Sequence, residues 1–430
     1  MKVLFVSGEL TGSGLCQKLI KEGNEVKLYI HKPDWKHCYS GIVEKINDWK
    51  EHLDWVGKNG LIIFDDVIFG SEQDELRAQG YTVIGSSRGG DELELQRKLF
   101  HDVAASLNLD ILDSYDFETA VDAINFIKSA PDRWVLKQSS HLSFLNFIGT
   151  AADGSDIIEK LQQYQDRGIA PIHLQKYANG IEIGVARYFN GTDWVGPIEI
   201  NHEHKKLKNG DVGSLTPEMG TVLWYTENED LPLYKETLAK FKPYLQQIAF
   251  HGDFDINFIV SENNLWPLEA TPRFGAPSTQ LQVQLHNSPW SEFLESVGKG
   301  LPYNLEYKNG YGVVVSIVVD PFPYEPNRSF SEAQNDFTKK RISFSEALTP
   351  EEFNQIHFEE VSEDENGFYW SGNYGIVLHV TAHGSTVTTA KDAAYTLIKK
   401  IHIDGMYYRT DIGKRVAEID LPTLKEWGWI

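Results

Sequence analysis

The chain opens on a continuous apolar run, KVLFVS (2–7), followed by the glycine-punctuated stretch GELTGSG (8–14). LCQKLIKEG (15–23) then has helical spacing and stops at glycine, and NEVKLYI (24–30) returns to a strand pattern. A strand–turn–helix–strand order predicts a parallel sheet. LIIFDD (61–66), SEQDELRAQG (71–80) and YTVIGSS (81–87) repeat it, so residues 1–90 read as a small doubly wound domain. A long helix is predicted over 91–109 and another over 116–130, then a strand at 133–140, a helix at 154–168 and a strand at 172–180. IEIGVARYFNGTDWVGPIEIN (181–201) alternates about NGTD, a hairpin signal. A long amphipathic helix is predicted over 231–250, and HGDFDINFIVSENNLWPLEATPR (251–273) reads as a second hairpin turned by SENN. GVVVSIVVD (312–320) is a strand, and 375–401 reads as strand, turn and helix. The pattern as a whole is that of a multidomain chain with both α/β and α+β parts.

Composition narrows the function classes. With 40 Lys and Arg against 62 Asp and Glu, the net charge of −22 argues against general binding to nucleic acid or to anionic membranes. No run of 18 apolar residues suggests a membrane span. Two cysteines, Cys16 and Cys38, are too few for a disulfide framework. The expectation is a cytoplasmic protein acting on small molecules.

The candidate chemistry gathers on the second hairpin. Glu269 and Asp255 lie on adjacent strands, where two acids could hold Mg²⁺ against nucleotide phosphates, and Arg273 could grip a phosphate oxygen. Asn257 alternates onto the face of Asp255. Ordinary strand-end ion pairs would explain these residues equally well. Lys137 ends the run WVLK, within reach of a phosphate or as a surface lysine with a buried stem. Gln175, Lys176 and Tyr177 end a strand suited to an adenine edge, and Glu182 starts the next; a generic hairpin accounts for both. The loop holding Gly8, Gly12 and Gly14 could cradle a phosphate at a helix N-terminus or be a tight strand-to-helix turn. It does not match GxGxxG.

Taken in order, these segments resemble an ATP-grasp ligase, and within that group the phosphoribosylamine–glycine ligase family. The likeness is most specific at VLHVTAHGSTVTTAKDAAYTLIKKIHIDGMYYRTDIGKR (377–415), which is similar to the family's closing domain. PRFGAPSTQ (272–280) is similar to its RFGDPETQ segment, and MKVLFVSGELTGSG to its glycine-rich start. The resemblance implies an N-terminal doubly wound domain (1–90), an ATP-grasp domain (91–312, with a small lid at about 115–185) and a C-terminal α+β domain (313–430). It implies ATP and Mg²⁺, with Mn²⁺ as an alternative, and a reaction in which ATP phosphorylates a carboxylate and an amine displaces phosphate. In the family the acid is glycine and the amine 5-phosphoribosylamine. Residue by residue, it implies metal ligation by Glu269 and Thr271 with Asp255 in support. It places nucleotide contacts at Lys137, Gln175, Lys176, Tyr177 and Glu182, catalytic roles at Arg273 and Arg97, and substrate contacts at Gly8, Gly12 and Gly14.

The departures from the family fall on its substrate and phosphate loops. Thr271 stands where asparagine is usual, and Arg97 where lysine is usual. GAPS replaces GDPE. QSSHLSFLNF (138–147) carries no glycine where the family has a glycine-rich loop, and HKKLKNGDVGSLTPEMG (204–220) lacks NTGGMG. FDDVIFGSE (64–72) replaces GPEAPL, and its two aspartates would repel a 5′-phosphate. The first reading is therefore an ATP-dependent carboxylate–amine ligase, phosphoribosylamine–glycine ligase before a relative with another substrate pair. A non-catalytic nucleotide-binding or scaffold protein is the remaining alternative.

Overall fold

The computed structural model describes residues 1–137, 146–323 and 340–430. Its N-terminal sheet is entirely parallel, in the order β3 (Glu44–Ile46), β2 (Glu25–Ile30), β1 (Lys2–Ser7), β4 (Leu61–Phe64), β5 (Thr82–Ile84). Val3, Leu4, Phe5 and Val6 are all inaccessible, because a central parallel strand is covered on both faces. Helix Ser13–Lys21 follows β1, and Gly23, at φ +84°, ends it in the left-handed conformation that favours glycine.

A second, antiparallel sheet takes the order β6 (Ser114–Phe117), β9 (Ile172–Lys176), β7 (Trp134–Lys137), β8 (Phe147–Ile148). Helices Ala120–Ser129 and Ser155–Arg167 bury Ile124, Ile127, Ile157 and Leu161 against it.

The third sheet has eight strands. Its order is β16 (Leu265–Thr271), β15 (His251–Val260), β10 (Ile181–Asn190), β11 (Trp194–Glu203), β14 (Gly220–Thr226), β17 (Tyr311–Val318), β22 (Ile376–Gly384), β19 (Ile356–Phe358). A short ribbon, β12 (Lys206–Lys208) with β13 (Val212–Leu215), projects between β11 and β14. Two further ribbons, β18 (Ser343–Phe344) with β23 (Ile401–His402) and β20 (Val361–Asp364) with β21 (Gly367–Trp370), complete the C-terminal part. The C-terminal strands thus extend the large sheet, and Met219 and Val222 share one core with Val313, Val315 and Val380. The fold is mixed α/β and α+β with a doubly wound N-terminal sheet, as the sequence pattern predicts.

Two predicted helices are broken. The 91–109 stretch forms Arg88–Leu95 and Arg97–Ser106, interrupted at Gln96 with φ −119° and ψ 84°. The 231–250 stretch forms Pro232–Lys235, a 3₁₀ turn at Leu238–Phe241, and Lys242–Gln247. Pro243 has no N–H to give and its ring clashes with a carbonyl one turn back, so no continuous helix can run through it. Both cysteines are buried and unpaired. Among the described residues no helix is long and apolar enough to cross a membrane.

Candidate active site

One face of the large sheet carries polar residues at every second position. On β15 these are Asp253, Asp255 and Asn257; on β11 they are Glu199, Asn201 and Glu203. The β15–β16 register sets Asp255 opposite Thr271 and Asn257 opposite Glu269. Period-two alternation therefore delivers the hairpin's acids to a single surface.

Lys205 stands at the centre of that surface. Its Nζ lies 3.0 Å from Glu182, 2.9 Å from Glu203 and 2.8 Å from Glu269. Burial works against the ammonium, but the three carboxylates more than offset it and hold Lys205 well above the usual lysine range. In return Lys205 pulls Glu269 down to about 2. Asp255 behaves differently: burial and the nearby Glu203 push it up to about 8. Its Oδ2 accepts from Asn201 at 2.8 Å while its Oδ1 has no partner. Asn257 donates to Glu203 at 3.1 Å and its buried Oδ1 is also unpartnered. Two orphaned oxygens beside an ionised Glu269 suit a hard cation whose remaining ligands come from phosphate. Among the described residues no group of three His, Cys, Asp or Glu side chains is close enough to hold a metal unaided.

Two cationic groups approach Glu269, one from the smaller sheet and one from the helix Arg97–Ser106, which packs against β16. Lys137, at the end of β7, is pushed down to about 7 by burial and by Arg97. Arg97, at the start of its helix, is also lowered by burial, with Glu269 and Asp116 opposing. The break at Gln96 gives Arg97 this position. Gln175 is buried on β9 with its Nε2 unpartnered. Lys176 ends β9 and Tyr177 follows it. Their N–H groups donate to the carbonyls of Asp113 (2.8 Å) and Arg133 (3.0 Å). Lys176 also pairs with Asp132 at 2.9 Å, and the Arg133 guanidinium lies 3.4 Å from the Tyr177 ring centre. Most of the glycine-free loop, residues 138–145, lies outside the described residues.

A second group of candidate residues comes from the β1–helix loop and the segment after β4, joined to the ribbon through Arg273. Gly8 N–H and Gly12 N–H donate to Asp65 at 3.0 and 2.8 Å, and Ser7 Oγ donates to it at 2.8 Å. The loop's amides are therefore already turned on a carboxylate of the same chain. Gly14 plays another part: a Cβ there would come within 2.9 Å of Gln280 and 3.0 Å of His357. Arg273 is committed too. It forks onto Glu94, with Nη2 at 2.9 Å and Nε at 3.2 Å, and lies 3.7 Å from Asp66. Burial raises Asp65 to about 6 and Asp66 to about 8; Arg273 opposes both shifts, while Glu9 and Glu94 add to that of Asp66. Leu10 (φ 71°) and Ile68 (φ 82°) flank this group in the left-handed region, costly for such side chains.

A buried layer escaped the sequence reading. Gln282 Nε2 donates to Glu199 (2.9 Å) and Asp253 (2.8 Å), and Tyr188 donates to Gln282 Oε1 at 3.0 Å. Glu199 is held well above its usual range and Asp253 at about 7, burial being the first cause in each. The alternation in PIEINHE and GDFDINF carried a signal for these acids; nothing local singled out Gln282.

The fold is the ATP-grasp fold. Residues 334–415 match the family model of the phosphoribosylglycinamide synthetase C domain. A phosphoribosylamine–glycine ligase of Clostridium acetobutylicum is 21% identical over 437 residues, covering 96% of this chain and 100% of that one. Another from Halalkalibacterium halodurans is 25% identical and covers 80% of this chain and 79% of its own. The crystal structure of the Thermotoga maritima phosphoribosylamine–glycine ligase superposes with a TM-score of 0.69 at 20% identity, covering 96% of this chain and 100% of that one. Biotin carboxylase of Campylobacter jejuni, solved with an ATP analogue, gives 0.63 at 11% identity, over 99% and 96% of the two chains. Over nearly its whole length the chain is similar to phosphoribosylamine–glycine ligases.

Proposed function

We propose that this chain is an ATP-dependent carboxylate–amine ligase of the phosphoribosylamine–glycine ligase type. The observation that carries the proposal is the meeting of two charge sets. Glu269, Asp255 and Asn257 offer oxygen ligands on the β15–β16 ribbon, while Lys137 on β7 and Arg97 on its helix offer cationic partners near Glu269. In this reading Glu269 with Asp255, Thr271 and Asn257 holds Mg²⁺ or Mn²⁺, which supplies charge neutralisation on the nucleotide phosphates. Lys137 and Arg97 pair with phosphate oxygens, and Glu182 and Gln175 line the nucleoside end. A substrate carboxylate oxygen attacks the γ-phosphorus, the bond to ADP breaks, and an acyl phosphate forms. The amine nitrogen then attacks the acyl carbon, gives up a proton, and inorganic phosphate leaves. The protein's share is to position the reactants and to stabilise charge.

Glycine with phosphoribosylamine is the pair carried in the names of the relatives, and it is the first pair to assay. The test is ADP release from ATP and Mg²⁺ in the presence of glycine and an amine. Release that requires both partners supports the reading. Absence of nucleotide binding in calorimetry would overturn it. A second reading, the same chemistry with a different amine, is favoured by one observation, the occupation of the glycine loop by Asp65.

A further inference from the structure

We infer that the amine substrate of this chain carries no phosphate, and that Asp65 is the residue that enforces this by filling the loop's anion cradle. The inference rests on the ligase reading and names the substrate class at the acceptor end of the same site: a neutral or cationic amine.

Backbone amides converging between a strand and a helix N-terminus attract an anion, and a phosphate is the usual occupant. Here the occupant is tethered to the chain. Asp65 Oδ1 takes Gly8 N–H, and its Oδ2 takes both Gly12 N–H and Ser7 Oγ. The packing leaves no second place. A Cβ built on Gly12 would meet Asp65 Cβ at 3.0 Å, and one on Gly8 would meet Asp66 Oδ2 at 2.2 Å. An entering phosphate would have to expel a buried carboxylate and then sit near Glu9 and Glu94. Among the described residues, the cations at this end are Arg273 and Lys32, and both are already paired, with Glu94 and Glu9. Like charges so placed exclude an anionic ligand.

A separate feature points to a donor as the group received. Gln280 is wholly buried, and its Nε2 donates to Thr11 O (3.1 Å) and Ser13 Oγ (3.4 Å) within the same loop. The Oε1 of that head group has no partner. A buried carboxamide oxygen left open is an acceptor, as are the carboxylates around it, and an N–H group satisfies them where a phosphate oxygen cannot.

The test has two arms, both on the full-length chain. In the first, thermal melting is followed with ADP and Mg²⁺ filling the nucleotide site, with and without millimolar ribose 5-phosphate. Wild type is expected to show no shift, and Asp65→Gly, which empties the cradle, an upward shift. A shift in wild type, or a folded Asp65→Gly that shows none, would overturn the inference; if that variant does not fold, wild type alone decides. In the second arm, ADP release with glycine is compared for phosphoribosylamine, formed from ribose 5-phosphate and ammonia, and for ethanolamine, 1,4-diaminobutane and glycine amide. At least one of the unphosphorylated amines is expected to exceed phosphoribosylamine by about a hundredfold, the scale set by facing like charges. A preference for phosphoribosylamine would overturn the inference. Release with none of them would overturn the ligase reading and the amine class, while the melting shift still decides whether Asp65 excludes phosphate.

Discussion

The two ends of the candidate site handle charge in opposite ways. At the β15–β16 ribbon, acids lie near Lys137 of the smaller sheet and Arg97 of a helix, and several polar atoms remain without partners among the described residues. At the glycine loop the charges are satisfied inside the chain: Asp65 takes the amides, and Glu94 takes Arg273. Orphaned buried polar atoms are costly to keep, so they mark the end that gains from a ligand. A loop whose donors are satisfied inside the chain marks the end that gains least from one.

The largest effect that would break this contrast is at Glu269. Glu269→Ala removes the ribbon's ionised ligand, and ADP release is expected to fall by about 10²- to 10³-fold, the loss typical of a preorganised electrostatic partner. Steady-state ADP release at saturating ATP measures it. Activity within a few-fold of wild type would show that the ribbon is not the nucleotide end.

Next in size is the layer beneath the ribbon. Gln282→Leu strips the shared donor from Glu199 and Asp253 and is expected to destabilise the fold by about 1–3 kcal/mol, the desolvation penalty of groups left unpaired. Urea denaturation reads the difference. The same variant should leave the amide cradle around Asp65 intact, which separates the stability of the two ends.

Proton linkage gives a smaller, signed effect. Free Lys137 is pushed down to about 7, and a bound phosphate favours its charged form. Nucleotide binding is therefore level below pH 7 and weakens above it, by at most about tenfold per pH unit, with uptake of one proton. ADP titrations without Mg²⁺ from pH 6 to 8.5, in buffers of different ionisation heat, test this; leaving out the metal removes the opposing contribution of Asp255. Affinity that rises with pH would contradict the placement of Lys137. The smallest effect belongs to the exposed pair Lys98–Asp102, at 2.7 Å on the surface of helix Arg97–Ser106. Lys98→Ala should change stability by less than about 0.5 kcal/mol, which sets the baseline for the others.

The fold was legible where one residue pattern decides one element. KVLFVS, NGTD and SENN each specify a strand or a turn locally, and the structure has them. The helix breaks were not equally legible: Pro243 announces one, whereas Gln96 carries no breaker residue, and its backbone is set by what surrounds it. Asp255 and Asn257 could be placed on one face by alternation alone, whereas Glu269 joins them through the β15–β16 register. Lys205 could not, because its three carboxylates come from β10, β11 and β16. The glycine loop was read as a candidate phosphate cradle because its amides are visible in the sequence. Its occupant is contributed by a residue 53 positions further on from Gly12, a pairing that only the β1–β4 register reveals.

The central claim, that acids of the β15–β16 ribbon hold a metal-bound nucleotide, is tested most directly by calorimetric titration of ADP into wild type and Glu269→Ala, each with and without Mg²⁺. Wild type should bind more tightly with Mg²⁺ and the variant should lose that gain. Equal binding by the two proteins in Mg²⁺, or no binding by wild type under any condition, would contradict it.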